Sequence, residues 1–335
     1  MKKLIALLLA CAMSLSLVAC GGTSTQQPAS GTQSSSQAED SSQGETSQPE
    51  QSDPADANQA DTSAEGSQST VSESQGAVTV SLEQVDHNVN AEDGTQVIEA
   101  FYFQPTVTIA GNEEAQTAIQ EALDQEIADF LSYVDGNLTT DVNTFYEEWR
   151  AESGEEADFS EHGYYDELRI TVKRADEQVI SLVLDNIGYS GGAHGWDSRY
   201  AMNFDTQTGA RLTFDMLGEN FKATAEELVL EAANQMQEDE GCFFPDYETC
   251  IPLLMVDGSE NAQDVYAQVY PEYYGEDASD PITVEGSIDA AFYLDDTGVT
   301  FISTEYLMQS YAAGIIELPI TYDDLAGSIN EYYVK

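Results

Sequence analysis

The sequence predicts an α+β fold in which antiparallel sheets carry packed helices, arranged as two adjoining modules. Three observations lead there. Short runs of alternating apolar and polar residues recur between 78 and 320, three longer runs repeat their apolar residues at helical spacing, and the two kinds interleave.

Val78, Val80 and Leu82 alternate with polar residues, as a half-buried strand does. Residues 97–109 are rich in aromatic and β-branched side chains, and Pro105 marks a bulge or a sheet edge there. Asn112 is placed to cap a helix through about Tyr133, with Ala115, Ile119, Ala122, Leu123, Ile127, Phe130 and Leu131 at helical spacing. A second helix over 141–152 puts Val142, Phe145, Tyr146 and Trp149 on one face. Leu168, Ile170 and Val172 alternate, as do Val179, Ser181, Val183 and Asp185. The polar Ala175-Asp-Glu177 between them predicts a hairpin. A strand over 199–205, a turn over 205–209 and a helix over 224–237 follow, then strands over 291–294, 299–303 and 315–320. Residues 242–280 are acidic, tyrosine-rich and only partly periodic. The expected modules are 77–155 and 156–335.

The N-terminus reads differently. Lys2 and Lys3 precede an apolar run too short to span a bilayer, which takes about 20 residues. With the small residues that follow, this predicts a secretory signal over 1–19. Its end, Leu17-Val-Ala-Cys20-Gly21, resembles the lipobox of bacterial lipoproteins, which implies lipidation of Cys20 and an anchor on the outer face of the cell membrane. An ordinary signal peptide containing a cysteine is the plainer alternative. Residues 20–76 hold Ser, Gln, Thr, Gly, Ala, Pro and scattered acids, too little apolar surface to offset the entropy of ordering. They predict a disordered tether of roughly 55 residues with a reach of about 40 Å.

The formal charge is -52, from 62 acids against 10 bases, and no Lys or Arg lies between Lys3 and Arg150. Phosphate recognition needs clustered bases, so no nucleic-acid partner is expected. Contact with a membrane is expected through the lipid alone. The acidity serves solubility, or it draws in a cationic partner. Outside the cytoplasm the close pair Cys242 and Cys250 points to a disulfide, two buried thiols being the alternative. The three histidines, His87, His162 and His194, stand at no zinc-ligand spacing from that pair, so no metal is expected.

The stretch Phe101-Tyr-Phe-Gln-Pro-Thr-Val, followed by the Asn112 helix, resembles the smaller N-terminal module of a family of bacterial extracytoplasmic proteins. Asn186-Ile-Gly-Tyr-Ser-Gly-Gly-Ala-His-Gly195 is similar to the signature loop of the module that follows it. So are 203–209, 212–217, and Tyr306 with Tyr311-Ala-Ala-Gly-Ile-Ile-Glu-Leu-Pro-Ile320. Both modules occur in lysozyme-sensing anti-sigma factors of the sigma-V system and ahead of the catalytic domain of some peptidoglycan deacetylases. No sigma-binding segment or deacetylase domain is recognisable in this sequence. The resemblance therefore implies a surface-exposed binding module, not an enzyme, with no catalytic residue and no cofactor.

Candidate binding residues are Tyr189, His194, Trp196 and Asp197 around the glycine-rich loop, with Tyr273 and Tyr274 as a separate aromatic patch. The plainer reading of His194 is a tight loop whose imidazole bonds to backbone. The tyrosines suit a helix core as well as a ligand. The expected partner is a cationic wall-active protein such as lysozyme. A cell-wall glycan is the alternative, and a wall hydrolase a distant third.

Overall fold

Two sheets and the helices around them make up the described residues, which in this computed structural model are 71–75, 77–153, 158–276 and 278–335. The signal peptide, Cys20 and most of the expected tether lie outside them. The tether's last residues do not: Val71–Gln75 form a strand, β1, on the edge of the larger sheet. Edge pairing is made by backbone groups, so a polar sequence can supply it.

Val78–Asp86 (β2) and Gln96–Ile109 (β4) pair antiparallel, with the short Val89–Asn90 (β3) on β4. Tyr165–Ala175 (β5) then joins β4 in parallel over residues 99–102 only. Beyond Tyr102 that side of β4 is free of β5, and Pro105 sits there without breaking a ladder. Helix α1, Glu113–Tyr133, covers the opening. Its Gln120 and Gln116 accept from the amides of Val107 and Ile109 at 3.0 and 2.9 Å, and Gln120 donates to the Pro105 carbonyl at 3.0 Å. The Asn112 side chain caps the helix by accepting from the Ala115 amide, and its own amide donates to the carbonyl of Gln207 at 2.7 Å. Helix α2, Thr139–Ser153, buries Val142 and Tyr146 and leaves Phe145 exposed.

Val179–Tyr189 (β6) and Trp196–Asp205 (β7) complete the larger sheet in the order β1-β2-β4-β5-β6-β7. The expected half-polar face of β6 is not there. Ile180, Leu182 and Leu184 enter a first core with α1 and α2, while Val179 and Val183 pack on the other side. Ser181 is buried too, bonded to Asn203 at 2.6 Å and accepting from the Leu294 amide at 2.9 Å. A strand covered on both faces loses its alternation, because both sets of side chains must suit an interior.

The second core lies between a smaller sheet and further helices. That sheet is Phe292–Leu294 (β8), Gly298–Ser303 (β9) and Ile316–Thr321 (β10), antiparallel throughout. Phe214–Leu217 (α3) and Phe221–Glu240 (α4) pack on it. The stretch without clear periodicity holds a 3-10 turn, Tyr247–Cys250, and helices Ile251–Leu254 (α5), Ala262–Val269 (α6) and Pro271–Tyr274 (α7). Elements this short never display a full apolar stripe. Fully buried Arg174 ties the C-terminus to β5 by bonding Asp176 at 2.6 Å, the Tyr322 hydroxyl at 3.0 Å and the Tyr333 carbonyl at 2.6 Å.

The expected bridge between Cys242 and Cys250 is absent, and both are free thiols. Cys242 follows the left-handed Gly241 that ends α4 and is half-exposed. Cys250 is buried in the 3-10 turn, its sulfur 3.6 Å from the Tyr270 hydroxyl. No described helix is long and apolar enough to cross a membrane.

Candidate ligand-binding site

Two loops, far apart in sequence, meet at one end of the larger sheet. The first connects β6 to β7. Its Gly191 and Gly192 have φ of +98° and +104°, a region L side chains rarely enter. The Tyr189 hydroxyl donates to the Gly192 carbonyl at 3.0 Å, and its ring stacks on Tyr164 at 6.0 Å. Gly188 is required by contact: a Cβ there would lie 2.2 Å from Cζ2 of Trp196. Trp196 thus turns its indole across β6 and packs against the first core, with Nε1 buried and unpartnered.

The second loop connects β9 to β10. Its hub is Gln309, which is fully buried. The Gln309 amide donates to the carbonyls of Ser303, Thr304 and Gly314 at 3.0, 3.1 and 2.7 Å. Its oxygen accepts from the Ser303 hydroxyl at 2.8 Å and the Met308 amide at 3.2 Å. Every polar atom of this side chain is used, so the loop is fixed from within. It presents Tyr306 and Tyr311, 47% and 36% exposed. Tyr306 has φ +62°, the one non-glycine residue with positive φ among the described residues. Such strain persists only where the surroundings impose it.

His194 joins the two loops. Its Nδ1 lies 2.7 Å from the Gly195 carbonyl, which can only accept, so Nδ1 carries the proton. In the neutral ring Nε2 then accepts from the Tyr306 hydroxyl at 3.1 Å. The imidazole also stacks on Tyr311 with centroids 4.1 Å apart, and Tyr306 lies 5.9 Å from Tyr311. The result is an exposed shelf of three rings, each within about 30° of its neighbours.

Beside the shelf, Glu305 accepts from the Asp197 amide at 3.2 Å, and the Thr304 hydroxyl donates to the Asp197 carbonyl. One carboxylate oxygen of Asp197 is buried with no partner. Burial raises the pKa of Asp197, helped by Asp185, against Arg199 and Arg169. Burial likewise raises that of Glu305, where the neighbouring Asp197 charge adds and the Asp197 amide and His194 oppose.

The bases of this end are already engaged. Arg169 pairs with Glu167 at 2.6 Å, Arg199 with Asp185 at 2.5 Å and Glu317 at 3.0 Å, and Lys173 reaches Glu317 at 4.0 Å. Every other described base pairs with an acid except Arg211, which lies over the Phe204 ring. Among the described residues no three or more His, Cys, Asp or Glu are grouped to hold a metal ion.

Of the expected site residues, His194 and Asp197 are brought together, Tyr189 props the first loop from beneath, and Trp196 faces inward. Tyr274 is buried and stacked on Tyr266 at 5.2 Å, whereas Tyr273 is 56% exposed on α7. Tyr306 and Tyr311 carried a resemblance in sequence but no assigned role, and Glu305 and Gln309 gave no signal.

Comparison with known proteins adds a partial likeness. No curated protein matches the chain. A member of the DUF3298 family from Bacteroides fragilis superposes with a TM-score of 0.49 at 16% identity, over 76% of this chain and 94% of that one. A DUF3298 family protein from Pseudomonas aeruginosa gives 0.41 at 17% identity, over 76% and 95%. Residues 92–197, from before β4 to the first residues of β7, match the family model described as Deacetylase PdaC. The matched segment contains His194 and Asp197 and stops short of Glu305, Tyr306 and Tyr311, so this chain is similar to that family over the first loop of the shelf and the sheet beneath it.

Proposed function

We propose that this chain is a non-catalytic binding domain, held by lipid on Cys20 at the outer face of the cell membrane, that captures a cationic wall-active protein of the lysozyme kind. One observation carries the reading: the shelf offers aromatic faces and hydrogen-bond acceptors, while the nearby bases are committed to other acids. A surface of that kind favours a donor-rich cation and repels an anion. The charge of -52 adds a field that steers a basic protein inward and raises its association rate.

A second reading rests on a separate observation. The likeness to a deacetylase family model, together with exposed rings able to stack on sugar faces, favours a cell-wall glycan as ligand. Immobilised mature protein exposed in turn to hen lysozyme, to a basic protein of another fold such as cytochrome c, and to soluble peptidoglycan fragments separates the two. Saturable binding of lysozyme above cytochrome c supports the first. Binding of fragments alone supports the second and removes the first.

A further inference from the structure

The face that β5, β6 and β7 present beside the shelf carries an ion-pair network that is incomplete. Its acids are Glu167, Asp185, Asp197, Glu305 and Glu317, and its bases Arg169, Lys173 and Arg199. Glu167, Asp185 and Glu317 each lie within ion-pair distance of a base. Asp197 and Glu305 do not: they adjoin each other, and Asp197 keeps a buried oxygen without any partner. Burial raises the pKa of both carboxyls, with the charge of Asp185 adding at Asp197 and the charge of Asp197 adding at Glu305. Arg199 and Arg169 offset this only in part at Asp197, as do the Asp197 amide and His194 at Glu305, and the rings of Tyr306, His194 and Tyr311 stand next to the pair with their exposure unspent.

Resting on the binding reading above, we infer that one lysine or arginine side chain of the partner lies on the Tyr306–His194–Tyr311 shelf and places its charged end on the Asp197–Glu305 pair. The aliphatic stem of such a side chain covers ring surface while its head bonds carboxylate. The head gains a ring quadrupole as well as a charge partner. An uncharged sugar would leave the pair as crowded as before. A metal ion would find two carboxylates here and no third His, Cys, Asp or Glu grouped with them.

The shelf therefore reads one side chain, whereas the rest of the acidic surface reads only net charge. The test uses the mature chain with Glu305→Gln, which keeps an acceptor for the Asp197 amide, and Glu272→Gln, an equal loss of charge on exposed α7. Hen lysozyme is the probe. Glu305→Gln is expected to weaken binding about tenfold, and Glu272→Gln less than about twofold. Equal small effects would overturn the inference and leave the binding reading standing. Absence of lysozyme binding by the parent protein would remove both. Calcium chloride titrated into the parent protein alone should give no saturable heat. Saturable calcium binding abolished by Glu305→Gln would replace the side chain with a metal ion.

Discussion

His194 Nε2 and the Tyr306 hydroxyl meet at 3.1 Å across 112 residues of chain, and with the stacking of the same imidazole on Tyr311 that contact joins the β6–β7 loop to the β9–β10 loop. Neither loop is a site by itself. The first supplies an imidazole with its tautomer set by Gly195, and the second supplies two phenols on a backbone held by Gln309.

Tyr306 is held in the left-handed region, so its substitution separates stability from recognition. Asn accepts that conformation more readily than Tyr. Tyr306→Asn should leave the urea midpoint unchanged or raise stability by up to about 1 kcal/mol, while weakening binding of lysozyme. A loss of more than about 1 kcal/mol would mean that the phenol stabilises the fold and that the strain has no bearing on a ligand.

Gln309 should behave oppositely. Gln309→Leu strips partners from three carbonyls and the Met308 amide inside the fold. The expected cost is about 3 kcal/mol or more, since each buried group left bare costs roughly 1–3 kcal/mol. Limited proteolysis of the variant should cut first between 304 and 314. Stability within about 1 kcal/mol of the parent would show that the loop holds itself without this residue.

Asp166 gives a pH signature. It is fully buried on β5, accepts from the Asn186 side chain at 2.7 Å, and has its second oxygen unpartnered. Burial is the main cause that pushes its pKa from 3.8 up to about 7, against the hydrogen bond from Asn186. The folded state then holds a proton that the unfolded state releases, so stability falls as pH rises from about 4 to 7 and stays lowered above that. The span is on the order of 4 kcal/mol. Asp166→Asn should flatten this dependence and be more stable than the parent at pH 8. Parallel urea midpoints for both proteins between pH 5 and 8 would contradict the assignment.

Much of the fold was legible because its longer elements keep one face to a core. The Asn112 cap, the α1 stripe and the β5–β6 hairpin are local patterns that a few residues specify. What was not legible arises from distant contacts. β6 carries Ser181 and Asp185 where alternation suggests solvent, but their partners Asn203 and Arg199 lie on β7. Trp196 looked like a recognition residue by its place after the glycine loop, yet it folds over Gly188, a contact set by how β6 and β7 pair. The cysteines sit close in sequence, but the end of α4 and the 3-10 turn give their side chains different surroundings. In the site, His194 was visible from its loop. Its partners Tyr306 and Tyr311 belong to a hairpin more than a hundred residues later, and no spacing rule connects the two.

The most direct test is the kinetics of lysozyme binding to the mature protein at low and high salt, for the parent and for Tyr311→Ala. Long-range steering is screened over about 8 Å at physiological ionic strength, so association should slow at least about tenfold as salt rises while dissociation changes little. Tyr311→Ala should leave association intact and speed dissociation about tenfold, because it removes shelf surface and no charge. No binding at low salt, or a Tyr311→Ala dissociation rate equal to that of the parent, would contradict capture of a cationic protein at the His194–Tyr306–Tyr311 shelf.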